Sequence, residues 1–179
     1  MPRRLVTAAP GEYYHIYNRG AMRMLLYFQP EMYSLFLRLM ERYAEMCGIS
    51  VLAVCLMPNH FHLLVRVERG GDVAEFMKRL CGRYSVIVNT ILKRTGTIFE
   101  GRYHMRHVHD DRYFKALCRY IHLNPVRSAI VNRPELYGHS NYLECVGRRN
   151  LIHTSHEIIT SMFGGAKAYE MFVLDGLDK

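Results

Sequence analysis

The sequence predicts an α+β fold with a mainly antiparallel four-stranded sheet. Three observations support this prediction. Apolar and aromatic runs of strand length alternate with longer amphipathic segments, two apolar runs are separated by one short turn, and the elements follow the order strand, helix, strand, strand, helix, strand, helix. That order is the split βαβ arrangement of ferredoxin-like folds with one helix added.

The first half of the predicted core contains three strands and a helix. Aromatic and β-branched residues predict a strand at residues 12–18. Apolar residues then recur at helical spacing over 32–46, and Gly48 supplies a stop. The apolar runs 49–57 and 61–67 lie on either side of a short turn and predict a hairpin.

The second half supplies two more helices and the fourth strand. Asp72 and Glu75 have the spacing of a capping box, and the apolar residues after them continue at helical spacing. A strand is predicted within 101–109. A third helix is predicted from Asp111 to about Leu123, with Pro125 ending it.

The length of 179 residues favours one domain with an appendage. We expect the domain to span residues 1–131 and residues 132–179 to form an extension packed on it. Within the extension, residues 137–150 look like surface structure, and residues 155–163 predict one more short helix.

Several classes of protein are disfavoured by composition. The five cysteines are odd in number and widely spaced, which indicates buried free thiols and not a disulfide framework or a zinc site. No stretch approaches the roughly 18 apolar residues of a membrane span, and the start lacks an apolar leader segment. We therefore expect a cytoplasmic protein that has no membrane partner.

The charge distribution points to a polyanionic partner. The net charge is +8, and residues 78–106 hold seven basic residues against one acid, a net charge of +6. The last 29 residues carry a net charge of −2 and are not expected to contribute to this basic patch. Nucleic acid is the natural partner for such a stretch, although a solvated basic face would have the same composition.

Two histidines interrupt the apolar hairpin. Because alternate side chains of a strand share a face, His60 and His62 point the same way while Phe61 points to the other side. Imidazole is a common metal ligand, so the pair could hold one divalent ion from one side. A His-x-His pattern alone is more often structural, and the site needs a third group.

The third group is expected on the last predicted helix of the core. Tyr120 and Asn124 are four positions apart and share a helix face, whereas His122 points to nearly the opposite side. An amide oxygen is an acceptable metal ligand, and a phenol can be a nucleophile. Pro125 disfavours helical geometry at Asn124, so the direction of that side chain is less securely predicted than the spacing suggests.

Four stretches together resemble a known family: "YHIYNRG" at 14–20, "CLMPNHFHLLV" at 55–65, "FEGRY" at 99–103 and "RYIHLNPVRSAIV" at 119–131. Their order and spacing are those of the single-tyrosine HUH transposases, and of the REP-associated tyrosine transposases in particular. The resemblance spans roughly two thirds of the chain, from about Tyr13 to Val131.

This resemblance implies an enzyme that nicks and rejoins DNA. In such proteins a ferredoxin-like catalytic domain, here residues 1–131, holds Mg²⁺ or Mn²⁺ through positions that match His60, His62 and Asn124. The position that matches Tyr120 attacks single-stranded DNA, often beside a hairpin, and leaves a 5′-phosphotyrosine and a free 3′-OH. The expected partner is single-stranded or hairpin DNA, and a homodimer remains open.

The DNA contacts are expected from basic and polar residues near these motifs. The candidates are Asn18, Arg19, Arg83, Arg102, Arg106 and Arg127. Five Arg-Tyr pairs place aromatic rings beside positive charge, which suits stacking of unpaired bases. Of these tyrosines, at least Tyr43, Tyr84 and Tyr113 lie on apolar helix faces, where packing is the favoured explanation.

Two other functions stay open at this level. A DNA-binding regulator could keep the fold without the reaction, and a metal-dependent phosphodiesterase could use water in place of tyrosine. Only the transposase-like reaction produces a covalent protein–DNA adduct.

Overall fold

A four-stranded antiparallel sheet organises residues 8–177, which are the residues that the computed structural model describes. Its strands lie in the order β2-β3-β1-β4, where β1 is Tyr13–Arg19, β2 is Ile49–Met57, β3 is His60–Val67 and β4 is His104–Val108. The longer helices are α1 (Pro30–Met46), α2 (Val73–Ile91) and α3 (Asp111–Arg127). The shorter ones are α4 (Tyr142–Cys145), α5 (Glu157–Phe163) and α6 (Ala166–Leu174). The predicted α+β fold, with its antiparallel sheet and its added helix, is confirmed.

The sheet buries an apolar core on each face. On one face, Ile16, Phe61 and Leu63 pack with α1 and α2 in what we term the first core. On the opposite face, Leu64 packs with α3 and with residues of the C-terminal extension in the second core. Because side chains alternate along a strand, His62 lies on the face of the second core.

Helix α3 runs further than the sequence predicts. The expected end near Leu123 is wrong, because the helix continues through Pro125 to Arg127. A proline in the last turn costs one backbone hydrogen bond, and here it is buried in the same packing as the residues beside it. The N–H of Ser128 donates to the carbonyl of Asn124 at 3.0 Å, so the helical backbone is kept at Asn124.

The start of α2 confirms one half of the predicted capping box. Asp72 accepts hydrogen bonds from the N–H groups of Ala74 and Glu75 at 2.8 and 3.0 Å. The reciprocal half does not form, because the N–H of Asp72 donates to the carbonyl of Cys47 and the Glu75 carboxylate pairs with basic side chains of its own helix.

The prediction of surface structure for residues 137–150 is wrong for residues 137–146, most of which are buried or partly buried, whereas residues 147–150 do lie at the surface. Asn141 accepts a hydrogen bond from the N–H of Val54 at 2.8 Å and donates to the carbonyl of Leu52 at 2.8 Å. The carbonyl of His139 accepts from the N–H of Leu56 at 2.9 Å. Together these bonds cover the free edge of β2, which lies at the margin of the sheet. The Asn141 side chain takes the place of a neighbouring strand. Such a contact needs no alternating apolar residues, so the sequence contains no pattern that predicts it.

The extension completes the second core. Tyr142, Tyr169 and Val173 are fully buried there, beside residues of β2 and α3. The short helix predicted at 155–163 is present as α5, and α6 follows it without having been predicted. We propose that the extension unfolds together with residues 1–131 and is not an independent domain.

All five cysteines are free, and four of them are buried. Cys81 is partly exposed, and desolvation raises the pKa of its thiol to about 12. Within residues 8–177, no helix is long and apolar enough to cross a membrane.

We expect Asn141→Ala to lower the free energy of unfolding by roughly 3 kcal/mol, because buried backbone groups of β2 would lose their partners. Urea unfolding followed by circular dichroism measures this change. Met171→Ala, which truncates an exposed side chain of α6, serves as the control and should change stability by less than about 0.5 kcal/mol. A small effect at Asn141, or a separate unfolding step for the extension, would contradict the packing described above.

Candidate active site

The second face of the sheet brings two histidines and the tyrosine of α3 together. His60 is the first residue of β3, and His62 is the third and lies opposite Tyr17 of β1. The ring centroids of His60 and His62 are 5.1 Å apart, so the two imidazoles lie side by side as the strand parity predicts. The ring of Tyr120 packs edge-on against His62, with a centroid distance of 5.2 Å.

On α3, Tyr120 and Asn124 face the two histidines and His122 faces the other way, as helical spacing predicts. Tyr120 keeps 37% of its surface exposed, whereas Asn124 is 7% exposed and lies beside His60. His122 points away from them and is fully buried, where Tyr169 lies 2.5 Å from its Nδ1 and Asn141 lies 2.9 Å from its Nε2. The structure thus brings His60, His62, Tyr120 and Asn124 to one place.

Each metal-ligand candidate on β3 has one ring nitrogen already engaged. Nδ1 of His60 lies 2.8 Å from Oδ1 of Asn59, and Nδ1 of His62 lies 3.0 Å from Nε2 of His15. The nitrogen left for a metal ion is therefore Nε2 in both rings. Among residues 8–177 there is no group of three or more His, Cys, Asp and Glu side chains arranged for a metal ion. A site built from these residues would draw its third protein ligand from the amide of Asn124.

Burial keeps the histidines of the second face neutral. Desolvation, assisted by the charge of Arg106, lowers the pKa of His15 to about 4. Desolvation also lowers the pKa of His62 to about 2, with smaller effects from His15 and His60. The pKa of His60 is lowered by burial too, against an opposing effect of the neighbouring Asn124 side chain. Neutral imidazoles are the form that binds metal ions.

Two cavities open on either side of Tyr120, and both are lined by Tyr17, His62 and Tyr120 itself. We call them the large and the small cavity, with volumes of about 1010 and 620 Å³. The large cavity holds five basic side chains and one acid: Arg106, Arg112, Lys115, Arg119 and Arg127, with Asp111. The small cavity is lined by Asn18, Arg19 and Arg102 together with Glu100. Tyr120 therefore stands between two open spaces with basic walls.

The predicted DNA contacts separate into three groups in space. Arg106 and Arg127 line the large cavity, and Arg102 lines the small one. Arg83 is exposed on α2, the helix that packs in the first core, and lies among the lining residues of neither cavity. The +6 stretch is accordingly divided between the two faces of the sheet.

Asn18 and Arg19 are already engaged within the protein. The Asn18 side chain is buried, donates to the carbonyl of Gly101 at 3.1 Å and accepts from the N–H of Arg19 at 2.9 Å. The Arg19 guanidinium forms two hydrogen bonds with the carboxylate of Glu100. These contacts hold the wall of the small cavity in place. Arg19 remains partly exposed at the edge of that cavity.

Three basic residues of the large cavity are not among the DNA contacts predicted from the sequence, although two of them, Arg112 and Arg119, belong to the Arg-Tyr pairs. Arg112, Lys115 and Arg119 precede Tyr120 on α3 at helical spacing, and that spacing is the signal that could have identified them. The guanidinium of Arg119 stacks on the ring of Phe172 at 3.8 Å. Phe172 belongs to α6, so the extension supplies an aromatic wall of the large cavity.

The antiparallel sheet with its paired histidines and a tyrosine-bearing helix is the arrangement that the resemblance to tyrosine transposases predicts. A model of the IS200-like transposase family matches residues 10–124, and the chain belongs to that family. The recognition made from the four motifs is confirmed.

A solved structure supports the fold. A REP-associated tyrosine transposase bound to a REP hairpin superposes with a TM-score of 0.71 at 15% sequence identity, over 83% of this chain and 87% of that one. A proposed transposase from Deinococcus radiodurans matches with a TM-score of 0.46 at 17% identity, over 68% of this chain and 94% of that one, and is too distant to support an argument. No curated protein sequence matches the chain significantly.

We expect the metal-free protein to lose stability as the pH falls from 7 to 5. The pKa values of His15 and His122 are lowered to about 4 and that of His62 to about 2, so these rings stay neutral in the folded chain. In the unfolded chain they take up protons below about pH 6.5, which favours unfolding by about 3 kcal/mol per pH unit for the three together. Urea unfolding in the presence of a chelator measures the slope. Constant stability from pH 7 to 5 contradicts the burial of neutral histidines.

Proposed function

We propose that the protein is a metal-dependent single-stranded DNA endonuclease and strand transferase of the cytoplasm that uses Tyr120 as its nucleophile. The observation that carries this proposal is the 5.2 Å contact of Tyr120 with His62 at the junction of two basic cavities. All four proposed active-site side chains belong to one chain. A second subunit is therefore not needed to supply any of them.

The residues present fit a divalent metal ion. His60 and His62 each offer Nε2, because Nδ1 of each ring is held by another side chain. The Asn124 amide beside His60 offers an oxygen, which Mg²⁺ and Mn²⁺ accept readily. When bound, the ion would supply Lewis-acid stabilisation of the charge that develops on the phosphate.

The proposed reaction exchanges one phosphate ester for another. The Tyr120 oxygen forms a bond to phosphorus and the bond from phosphorus to the 3′ oxygen breaks. The phenolic proton passes to water on the exposed side of the ring, and water supplies a proton to the leaving 3′ oxygen. The products are a 5′-phosphotyrosine and a 3′-OH. Because the phosphodiester energy is kept in the adduct, the 3′-OH can attack it and rejoin the strand without a nucleotide cofactor.

The two cavities provide a path for the strand on each side of the nucleophile. Five cations line the large cavity, and Arg19 and Arg102 line the small one, so both can accept a sugar-phosphate backbone. The stacked rings of Tyr17 and His104 and the ring of Phe172 offer aromatic surfaces for unpaired bases. We propose a hairpin-flanked single strand as the substrate, by analogy with the hairpin in the structurally similar transposase.

We expect Tyr120→Phe to retain the fold and DNA affinity but to lose the covalent adduct, because the substitution removes only the attacking oxygen from a partly exposed ring. End-labelled DNA with a hairpin is incubated with protein and Mn²⁺ and then separated by denaturing electrophoresis. The parent should give a protein-linked band that a chelator abolishes.

Tyr113→Phe is the matched control, because Tyr113 lies on the same helix and lines the same large cavity. It should keep the adduct. An adduct formed by the Tyr120→Phe protein would assign the nucleophile to another tyrosine. Cutting without an adduct in the parent would indicate attack by water, and binding without any cutting would indicate a regulator.

We expect Arg106→Ala to weaken binding of single-stranded DNA and to reduce the slope of log affinity against log salt by roughly 0.7, the value for one lost phosphate contact. Arg83→Ala removes the same charge from the opposite side of the sheet and should leave both quantities close to those of the parent. Fluorescence anisotropy at several salt concentrations makes the comparison. Equal effects of the two substitutions would show that DNA is not held in the large cavity.

A further inference from the structure

His15 is a buried histidine of β1 that lies next to the proposed metal ligand His62. It is 6% exposed and lies on the same sheet face as His62. Its Nε2 is 3.0 Å from Nδ1 of His62, and the two rings are stacked at a centroid distance of 5.2 Å and an angle of 27°. Tyr17 flanks the His15 ring on the same strand at 4.9 Å, so the imidazole is held in place.

A hydrogen bond between two neutral imidazoles contains one proton, which belongs to one ring or the other. If His15 donates, the proton of His62 lies on Nε2, and that nitrogen cannot bind a metal ion. If His62 donates from Nδ1, its Nε2 has a free lone pair. Only the second arrangement makes His62 a ligand.

His60, the other proposed histidine ligand, also has its Nδ1 held by a neighbouring side chain, in this case the amide of Asn59. Nδ1 of His60 lies 2.8 Å from Oδ1 of Asn59, and the Asn59 amide nitrogen donates to the carbonyl of Arg23 at 3.5 Å. The second contact orients the amide so that its oxygen faces His60. An oxygen can only accept, so His60 carries its proton on Nδ1 and presents Nε2.

We propose that His15 is a positioning residue that accepts a hydrogen bond from Nδ1 of His62 and so presents Nε2 of His62 to the metal ion. This inference rests on the metal site of the proposed function. His15 accepts the Nδ1 proton of His62, just as the Asn59 amide oxygen accepts the Nδ1 proton of His60. Both ligands are then fixed in ring orientation and in proton position before the ion arrives, which is the usual role of partners behind metal-binding histidines.

The test is Mn²⁺ binding measured by calorimetry in the absence of DNA. His15→Phe keeps an aromatic ring but has no acceptor, and we expect it to lower the affinity roughly 10- to 100-fold. His15→Gln places an amide oxygen where Nε2 of His15 stands, and we expect it to restore most of the affinity. Thermal unfolding of the metal-free variants checks that both remain folded.

Pulsed electron paramagnetic resonance distinguishes a positioning residue from a ligand. We expect two imidazole nitrogens coupled to Mn²⁺ in both the parent and the His15→Gln protein. One fewer in the variant would make His15 a ligand and overturn the proposal. Equal affinity of the His15→Phe protein and the parent would also overturn it.

Two further results separate this inference from the proposed function. If the parent binds no Mn²⁺, or if His62→Ala binds it as tightly, the metal site itself is wrong. If His15→Phe does not fold, long-range ¹H–¹⁵N spectra of the Mg²⁺-loaded parent still decide the proposal. We expect a proton on Nδ1 of His62 and none on Nε2 of His15. A proton on Nε2 of His15 and none on Nδ1 of His62 would refute the proposal.

Discussion

The orientation of α3 on the second sheet face is the constraint on which the site depends. One side of the helix is apolar and buried, with Phe114, Leu117, Cys118 and Ile121 in the second core. The rotation of the helix that buries this side brings Tyr120 to His62 and Asn124 to His60. Burial of this one helix side therefore brings the proposed nucleophile and the proposed third metal ligand together.

Buried polar groups make that rotation specific. Apolar contacts alone would tolerate a small turn of the helix, but His122 is bound on its two ring nitrogens by Tyr169 and Asn141. Asn141 is bonded in turn to the backbone of β2. A misoriented α3 would leave these groups without partners in the interior, at a cost of several kcal/mol. The extension thus supports the site without contributing any of its four side chains.

Much of this arrangement follows from local sequence patterns. The shared face of His60 and His62 follows from strand parity, and the alignment of Tyr120 with Asn124 follows from helix periodicity, because both rules need only neighbouring residues. The end of α3 was mispredicted, since the burial of Pro125 depends on the tertiary packing around it. The edge contacts of Asn141 and the hydrogen bond of His15 to His62 join residues far apart in the chain. The basic stretch 78–106 is divided between the two faces of the sheet, and its order along the chain does not reveal this division.

The central claim is that Tyr120 acts together with the His60 and His62 of its own chain. Mixing the Tyr120→Phe protein with the His62→Ala protein tests it most directly, because the mixture contains every active-site group but never a complete set in one chain. With the parent at the same concentration as the positive control, the structure predicts no protein–DNA adduct from the mixture. An adduct on the His62→Ala chain would show that the tyrosine of one chain works at the metal site of another, and would contradict the account.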